Sequence, residues 1–260
     1  MKITAIIQAR MTSTRLPGKI LMQVAGKPLL QIMIERVLKA KHIDSVVLAT
    51  TTNKEDDPTA ELGRELGVAV FRGDENDVLK RYYGAASEHK CKHVMRLTGD
   101  CPVIDPDMLD ILADFYFQGG YDYASNCLEA TLPDGLDAEI ISMEALTEAY
   151  KKAELPSQRE HVTLYVKDNP DNFKMGSWKN SADYSHMRWT VDDPEDFTFI
   201  KKVIEALLPV NPDFRMQDVV DLVEETPELL QINAHINRDE GLAKSLAEEA
   251  ELRAGAGDEN

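Results

Sequence analysis

Three short stretches of this chain carry residues whose types and spacing could handle a polyphosphate. In ARMTSTRLPGKIL, residues 9–21, Arg10, Arg15 and Lys19 stand among Ser13, Thr14 and Pro17-Gly18, directly behind an apolar run. Backbone N–H groups at a strand-to-loop turn point at anions, so three fixed cations and two hydroxyl donors there suit a triphosphate. Pro17-Gly18 forces a turn that returns the chain to the fold. The stretch is neither a Walker A loop nor a G-x-G-x-x-G fingerprint, and on composition alone a solvated basic loop fits as well. The other two stretches are acidic. RLTGDCPVIDPD puts Asp100 just past a predicted strand, and RWTVDDPEDF puts Asp192 and Asp193 between a predicted strand and a helix. Two carboxylates meeting opposite a basic loop are the parts of a Mg2+-triphosphate site, because Mg2+ takes one or two carboxylates and fills its shell with phosphate oxygens and water. Asp105 and Asp193 precede Pro and read first as helix caps, whereas Asp100 and Asp192 read as metal ligands.

The elements that must position these residues follow from hydrophobic period. ITAIIQA, SVVLATT, VAVF and HVMRLTG are short apolar runs of the kind found in buried parallel strands. Between them, residues 28–40, 75–89 and 106–117 place apolar side chains at helical spacing. Alternating strands and helices predict an α/β fold, a mostly parallel, doubly wound sheet covered by helices on both faces. Residues 121–190 are less regular and read as an inserted, lid-like lobe with strand candidates YDYASN, DAEIIS and HMRWTVD and helices near 143–153 and 158–168. A helix opens at Pro194, and 237–253 is a Glu- and Ala-rich helix ahead of a frayed AGAGDEN end. The expected organisation is a single domain over 1–236 with a C-terminal helix and tail over 237–260.

Charge narrows the ligand. The chain of 260 residues is 43% hydrophobic and carries a formal charge of −17. Residues 1–41 hold eight Lys or Arg against Glu35 alone, a net of +7, which leaves −24 for the rest. A surface so acidic repels nucleic-acid backbones, while a local basic loop still captures a small polyphosphate, so a nucleotide is favoured over DNA or RNA. No stretch resembles a secretory signal or approaches the roughly eighteen apolar residues of a membrane span, which predicts a cytoplasmic protein without a membrane partner. Cys91, Cys101 and Cys127 are odd in number and lack zinc-site spacing, so they are expected as thiols.

In order and spacing, IIQARMTSTRLPGKILMQVAGKPLL, VFRGDENDVLKRYY, RLTGDCPVIDPD, GLDAEIIS, QREHVT and RWTVDDPEDF resemble the cytidylyltransferases related to CMP-Kdo and CMP-sialic acid synthetases, and most closely their spore-coat polysaccharide subgroup. The resemblance covers about residues 1–205. It implies a nucleotide-diphospho-sugar transferase-like fold that activates a sugar, in all expectation a sugar acid, by attaching CMP from CTP. By position it places Arg10, Ser13, Arg15 and Lys19 on the CTP phosphates, Arg72, Arg96 and Thr98 near the nucleotide, and Mg2+ on Asp100 and Asp192. Asp137, Glu139, Gln158 and Arg159 would face the acceptor sugar, and the inserted lobe would serve a homodimer interface. Two departures stand out: Gln8 replaces the usual proline before the first Ala-Arg, and Asp193 replaces the threonine of the usual DTPED, leaving open which aspartate reaches the metal.

The implied chemistry is attack of a sugar hydroxyl on the α-phosphorus of CTP, with pyrophosphate leaving. Positioning and charge neutralisation dominate such transfers, and Lys19, Arg10 and Asp100 would supply them. Among the six histidines only His161 is a candidate for more than a surface or packing role. Cys101 reads as packing rather than as a nucleophile. The alternatives are a nucleotide-sugar-dependent glycosyltransferase, whose D-x-D triplet appears only as Asp105-Pro-Asp107 at a helix start, and a catalytically silent nucleotide-binding scaffold.

Overall fold

The computed structural model describes residues 2–238 and 240–257. Strand β1 (Ile3–Gln8) shows the two-residue period of a strand covered on both sides: Ile3, Ala5 and Ile7 enter one hydrophobic core and Ile6 the other. After it come a small hairpin of β2 (Gln23–Val24) and β3 (Lys27–Pro28), helix α1 (Leu29–Val37), β4 (Ile43–Thr51), α2 (Asp57–Glu65) and β5 (Ala69–Gly73). The chain continues through α3 (Val78–Glu88), β6 (His93–Thr98), α4 (Pro106–Gly119), β7 (Tyr123–Ser125), β8 (Glu139–Ser142) and α5 (Met143–Lys152). It ends with α6 (Pro156–Glu160), α7 (Leu164–Asp168), β9 (Met175–Ser177), α8 (Pro194–Leu207), α9 (Met216–Glu225) and α10 (Glu240–Gly257).

Seven strands form one sheet in the order β5-β4-β1-β6-β8-β7-β9, in which only β8 runs against its neighbours. Side chains of α1, α4, α8 and α9 pack on one face, and those of α3 and α5 on the other, which is the doubly wound arrangement expected. The three strands β7, β8 and β9, drawn from residues 121–190, extend this same sheet.

Several local expectations are corrected. HMRWTVD is not a strand: it makes one bridge, from Arg188 to Asp134, and then runs along the loop beyond β6, with the Val191 N–H donating to the Asp100 carbonyl at 2.8 Å. Gly135 lets these segments touch, since a Cβ there would sit 2.5 Å from the Trp189 and Thr190 backbone. The helix expected over 158–168 is two short helices, interrupted where Val162 adopts φ +43°. Helices α2 and α9, strand β9 and the β2–β3 hairpin were not foreseen, because their apolar stretches are short or diluted by charge. The last helix runs on to Gly257, and the remaining three residues of the expected frayed end lie outside the described residues.

One buried cation braces the loop that follows β6. The Arg36 guanidinium on α1 donates to the carbonyls of Ile104 (2.7 Å), Val103 (3.5 Å) and Phe214 (3.0 Å), and lies 4.0 Å over the Phe214 ring. Burial pulls its pKa down to about 10, so it remains charged at neutral pH. Replacing it with Met leaves those carbonyls without donors, and Arg36→Met is expected to cost about 2 kcal/mol in urea unfolding. An unchanged midpoint and slope would show that the loop does not need this brace.

Candidate active site

Strands β1 and β6 lie side by side with Gln8 opposite Thr98, so the loops that follow them leave the sheet at one edge. The chain reaches β4 on one side of β1 and β6 on the other. This is the switch point at which open α/β sheets bind ligands. Gly99 permits the close exit: its N–H donates to the Gln8 carbonyl at 2.8 Å, and a Cβ on it would lie 2.8 Å from that of Ala9.

The basic loop is shaped by partners that sequence reading did not single out. Gly18 turns with φ +73° and donates its N–H to the Met11 carbonyl at 2.9 Å. The Met11 N–H donates to Asp56 at 2.7 Å, and Glu75 accepts from the Thr12 hydroxyl at 2.6 Å while pairing with Arg10 at 3.4 Å. Nothing in the periodicity marks Asp56 or Glu75; both sit in polar turns that read only as solvent-facing.

At the loop's end, Lys19 is almost fully buried, and its ammonium lies 2.7 Å from Asp192 and 3.3 Å from Asp100. Burial opposes its charge, but the two carboxylates outweigh burial and hold its pKa above the ordinary lysine range. Asp100 answers in kind: burial would raise it, yet Lys19 and hydrogen bonds from Thr98 and Cys101 keep it below the usual carboxylate range. Asp192 is aimed by its surroundings. Its N–H donates to Asp196 at 3.0 Å, and its carboxylate accepts from Arg188 at 3.1 Å. Arg188 in turn pairs with Asp134 at 2.6 Å and Asp196 at 2.9 Å. Asp193 instead takes the N-cap position of α8 and pairs with Arg15 at 2.8 Å, so Asp192 is the aspartate that faces Asp100 across Lys19.

Two adjoining cavities of about 260 and 290 Å3 open here, each with room for a small ligand. Arg10, Ser13, Thr14 and Lys19 line the first. Asp134, Asp137, Glu139, Lys167 and Arg188 line the second, together with the start of α10. Six residues belong to both: Arg15, Arg96, Thr98, Asp100, His161 and Asp192. Burial pushes the His161 imidazole down, against the pull of Glu160. The Cys101 thiol is pushed well up by burial and by Asp100, which leaves it a packing group.

The structure thus gathers Arg10, Ser13, Arg15, Lys19, Arg96, Thr98, Asp100 and Asp192 around one cavity, with Asp137 and Glu139 next door. It does not bring in Arg72, Gln158 or Arg159. Arg72 spends its guanidinium on the Thr51 and Asn53 carbonyls and on Asp57, tying β5 to the loop after β4. Gln158 is buried and donates to Asp168 at 2.8 Å, and Arg159 pairs with Asp77 at 2.5 Å. Sequence reading also passed over Arg188 and Asp134. Arg188 lies four residues before Asp192, but in a segment that is not helical this spacing carries no signal, and Asp134 in a Pro-Asp-Gly turn offers none.

Asp100 and Asp192 are hard oxygen donors beside a cavity that can admit phosphate. Among the described residues no three His, Cys, Asp or Glu side chains gather as a metal cage. A divalent ion held here would draw the rest of its shell from phosphate and water, which fits Mg2+.

Glu139 anchors the far wall. Its buried carboxylate pairs with Arg96 and with Lys167 (3.2 Å) and accepts from the hydroxyls of Tyr123 (2.5 Å) and Thr163 (2.7 Å). Burial alone would raise its pKa, but Lys167, Arg96 and these bonds hold it far below the carboxylate range. A depressed carboxylate contributes stability that is present above its unfolded value and lost as pH falls through the acid range. Glu139→Gln is therefore expected to lower unfolding free energy by about 3 kcal/mol at pH 7, because two half-buried cations lose their buried partner. The gap should narrow in urea titrations below the unfolded value of 4.5. Equal gaps at pH 7 and at strongly acid pH would refute the electrostatic account.

A family model described as cytidylyltransferase matches residues 4–236. A cytidylyltransferase structure from Leptospira borgpetersenii superposes with a TM-score of 0.84 at 37% identity, covering 89% of this chain and 97% of that one. The spore coat polysaccharide biosynthesis protein SpsF of Bacillus subtilis is 33% identical over 87% of this chain and 95% of its own length. The 3-deoxy-manno-octulosonate cytidylyltransferase of Geobacter sulfurreducens is 39% identical over 42% of this chain and 43% of its own. With the basic loop and the two aspartates meeting at the switch point of the sheet, the chain belongs to the cytidylyltransferase family and is a nucleotidyltransferase.

Proposed function

We propose that this enzyme transfers the cytidylyl group of CTP to a hydroxyl of a sugar acid, releasing pyrophosphate, and that the product feeds synthesis of a surface polysaccharide or glycoconjugate. The observation that carries this reading is the wall shared by two cavities: the cationic loop and the paired aspartates meet there, where a nucleotide on one side would touch an acceptor on the other. The sugar-acid acceptor is supported by the relative that acts on 3-deoxy-manno-octulosonate, and the destination by the spore coat relative.

In the reaction, the acceptor oxygen bonds to the α-phosphorus, the bond from that phosphorus to the bridging oxygen breaks, pyrophosphate departs and the hydroxyl proton is released. Arg10, Ser13 and Arg15 would hold the phosphates in line for that displacement. Lys19, now held between Asp100 and Asp192, would turn to the phosphates and neutralise the charge that develops on the leaving oxygen. Asp100 and Asp192 would hold Mg2+, which supplies electrostatic shielding of the phosphate oxygens. Arg96 and Thr98, on the shared wall, would set the spacing between the two substrates, and Asp137 would accept hydrogen bonds from the sugar while Glu139 keeps the cavity floor in place. Residues 1–236 are inferred to form the catalytic domain and 237–260 an appended helix and tail. We infer that the enzyme works as a homodimer in the cytoplasm; among the described residues no helix is long and apolar enough to cross a membrane.

A pyrophosphate-release assay with CTP and 3-deoxy-manno-octulosonate, then other sugar acids, tests the reading. Release of a nucleoside diphosphate from a nucleotide sugar would favour the glycosyltransferase alternative. Asp100→Ala is expected to reduce kcat/KM about 10^3-fold with an unchanged circular dichroism spectrum, the loss typical of removing one preorganised charge-stabilising group. Normal turnover by this variant would overturn the assignment of Asp100.

A further inference from the structure

Helix α10 lies beyond the family match, which ends at residue 236, yet it reaches the site. Asn237, Glu240, Gly241 and Leu242 form the outer wall of the second cavity. Among the described residues neither hydrophobic core takes a side chain from this helix. It is held by polar contacts spaced four or five residues apart, which puts them on one face. Glu240 pairs with Arg15 at 3.3 Å. The Ser245 hydroxyl lies 3.0 Å from His161 Nε2 and 2.8 Å from Glu160. Glu249, nearly buried, accepts from the Ser157 hydroxyl at 2.6 Å and its N–H at 3.3 Å. Ahead of the helix, Arg238 is pinned to the Leu132 carbonyl at 3.0 Å and to Asp137, which makes a fixed point from which the helix can swing.

Arg15 is the joint between the two cavities. Its guanidinium is divided among Asp192 (3.0 Å), Asp193 (2.8 Å) and Glu240 (3.3 Å), and of these only Glu240 belongs to α10. A triphosphate entering the basic loop competes for the same guanidinium and brings more negative charge than a single carboxylate. The Arg15–Glu240 pair is partly exposed and weak on its own, so the start of the helix can part from the site at small cost.

We propose that α10 is the acceptor-selecting wall of the second cavity, and that Glu240, by holding Arg15, keeps this wall closed until a nucleotide triphosphate claims the arginine. Nucleotide then binds first and the acceptor second, and the acceptor meets the side chains of Glu240 and Leu242 as it enters. What fills each cavity rests on the reading under Proposed function; the closure of the wall does not.

Cys127 offers a reporter, since it lines the second cavity and not the first, while Cys91 is buried and lines neither. The full chain is treated with N-ethylmaleimide at mildly alkaline pH, and modification of each cysteine is followed by peptide mass spectrometry. Mg2+-CTP is expected to speed labelling of Cys127 at least fivefold, with Cys91 as the slow internal reference. Glu240→Gln should show the faster rate without nucleotide and lose the response to CTP. Glu249→Gln, which loosens the far end of the helix without touching Arg15, should also label faster but keep a response to CTP. Labelling that is the same in the wild type, with and without CTP, and in both variants overturns the proposal. Calorimetry separates the two failures: if CTP does not bind, the nucleotide reading falls, while the rates of the two variants without nucleotide still decide whether α10 closes the cavity.

Discussion

A lysine ammonium buried between two aspartates is the interaction around which the site is arranged. At an effective dielectric of about 20, a charge pair at contact distance is worth on the order of 4 kcal/mol, which is enough to keep Lys19 charged despite the loss of water. Take away the ammonium, and Asp100 and Asp192 face each other without compensation. Take away the aspartates, and a cation is stranded at the end of the basic loop. The arrangement is therefore stable as found and becomes exchangeable only when a ligand supplies both kinds of charge at once, anionic phosphate for the lysine and a cation for the carboxylates. The magnesium-bound triphosphate proposed as substrate would do so. Either component alone leaves one partner unsatisfied.

This pair of aspartates comes from distant parts of the chain, and the sheet makes the meeting possible. Asp100 follows β6 directly, whereas Asp192 arrives after residues 121–190 have added three strands to the sheet and returned along the loop beyond β6. Arg188 and Asp196 then fix the final approach, one by pairing with the Asp192 carboxylate and the other by accepting its N–H. The two ends of the site are thereby held by different means, backbone pairing for Asp100 and a buried ionic network for Asp192.

Much of this was legible from residue types. The four parallel strands announced themselves as apolar runs, and the basic loop and Asp100 could be placed at one edge from topology alone, whereas Asp192 reaches that edge from a segment that is not the strand expected. What could not be read was where long polar side chains spend their hydrogen bonds. Arg72 and Arg159 carry the same chemistry as Arg10 and Arg15, yet local carbonyls and Asp57 or Asp77 absorb them. Glu139, expected to face the acceptor sugar, lines the second cavity but is saturated by two cations and two hydroxyls, a network drawn from β6, β7, β8 and the α6–α7 region that no spacing reveals. HMRWTVD has the alternation of a strand because Met187, Trp189 and Val191 enter the hydrophobic core while Arg188 and Thr190 line the second cavity, and an extended segment without a neighbouring strand leaves the same mark in the sequence.

The close passage of Gly99 against Ala9 has a wider implication. Because the distance between the basic loop and Asp100 is set by main-chain atoms of two adjacent strands, the walls of the neighbouring cavity, supplied by later segments and by the chain's last helix, can be rebuilt without disturbing it. With the function proposed above, a lineage could exchange one acceptor for another through substitutions in those later segments and inherit the transfer chemistry intact.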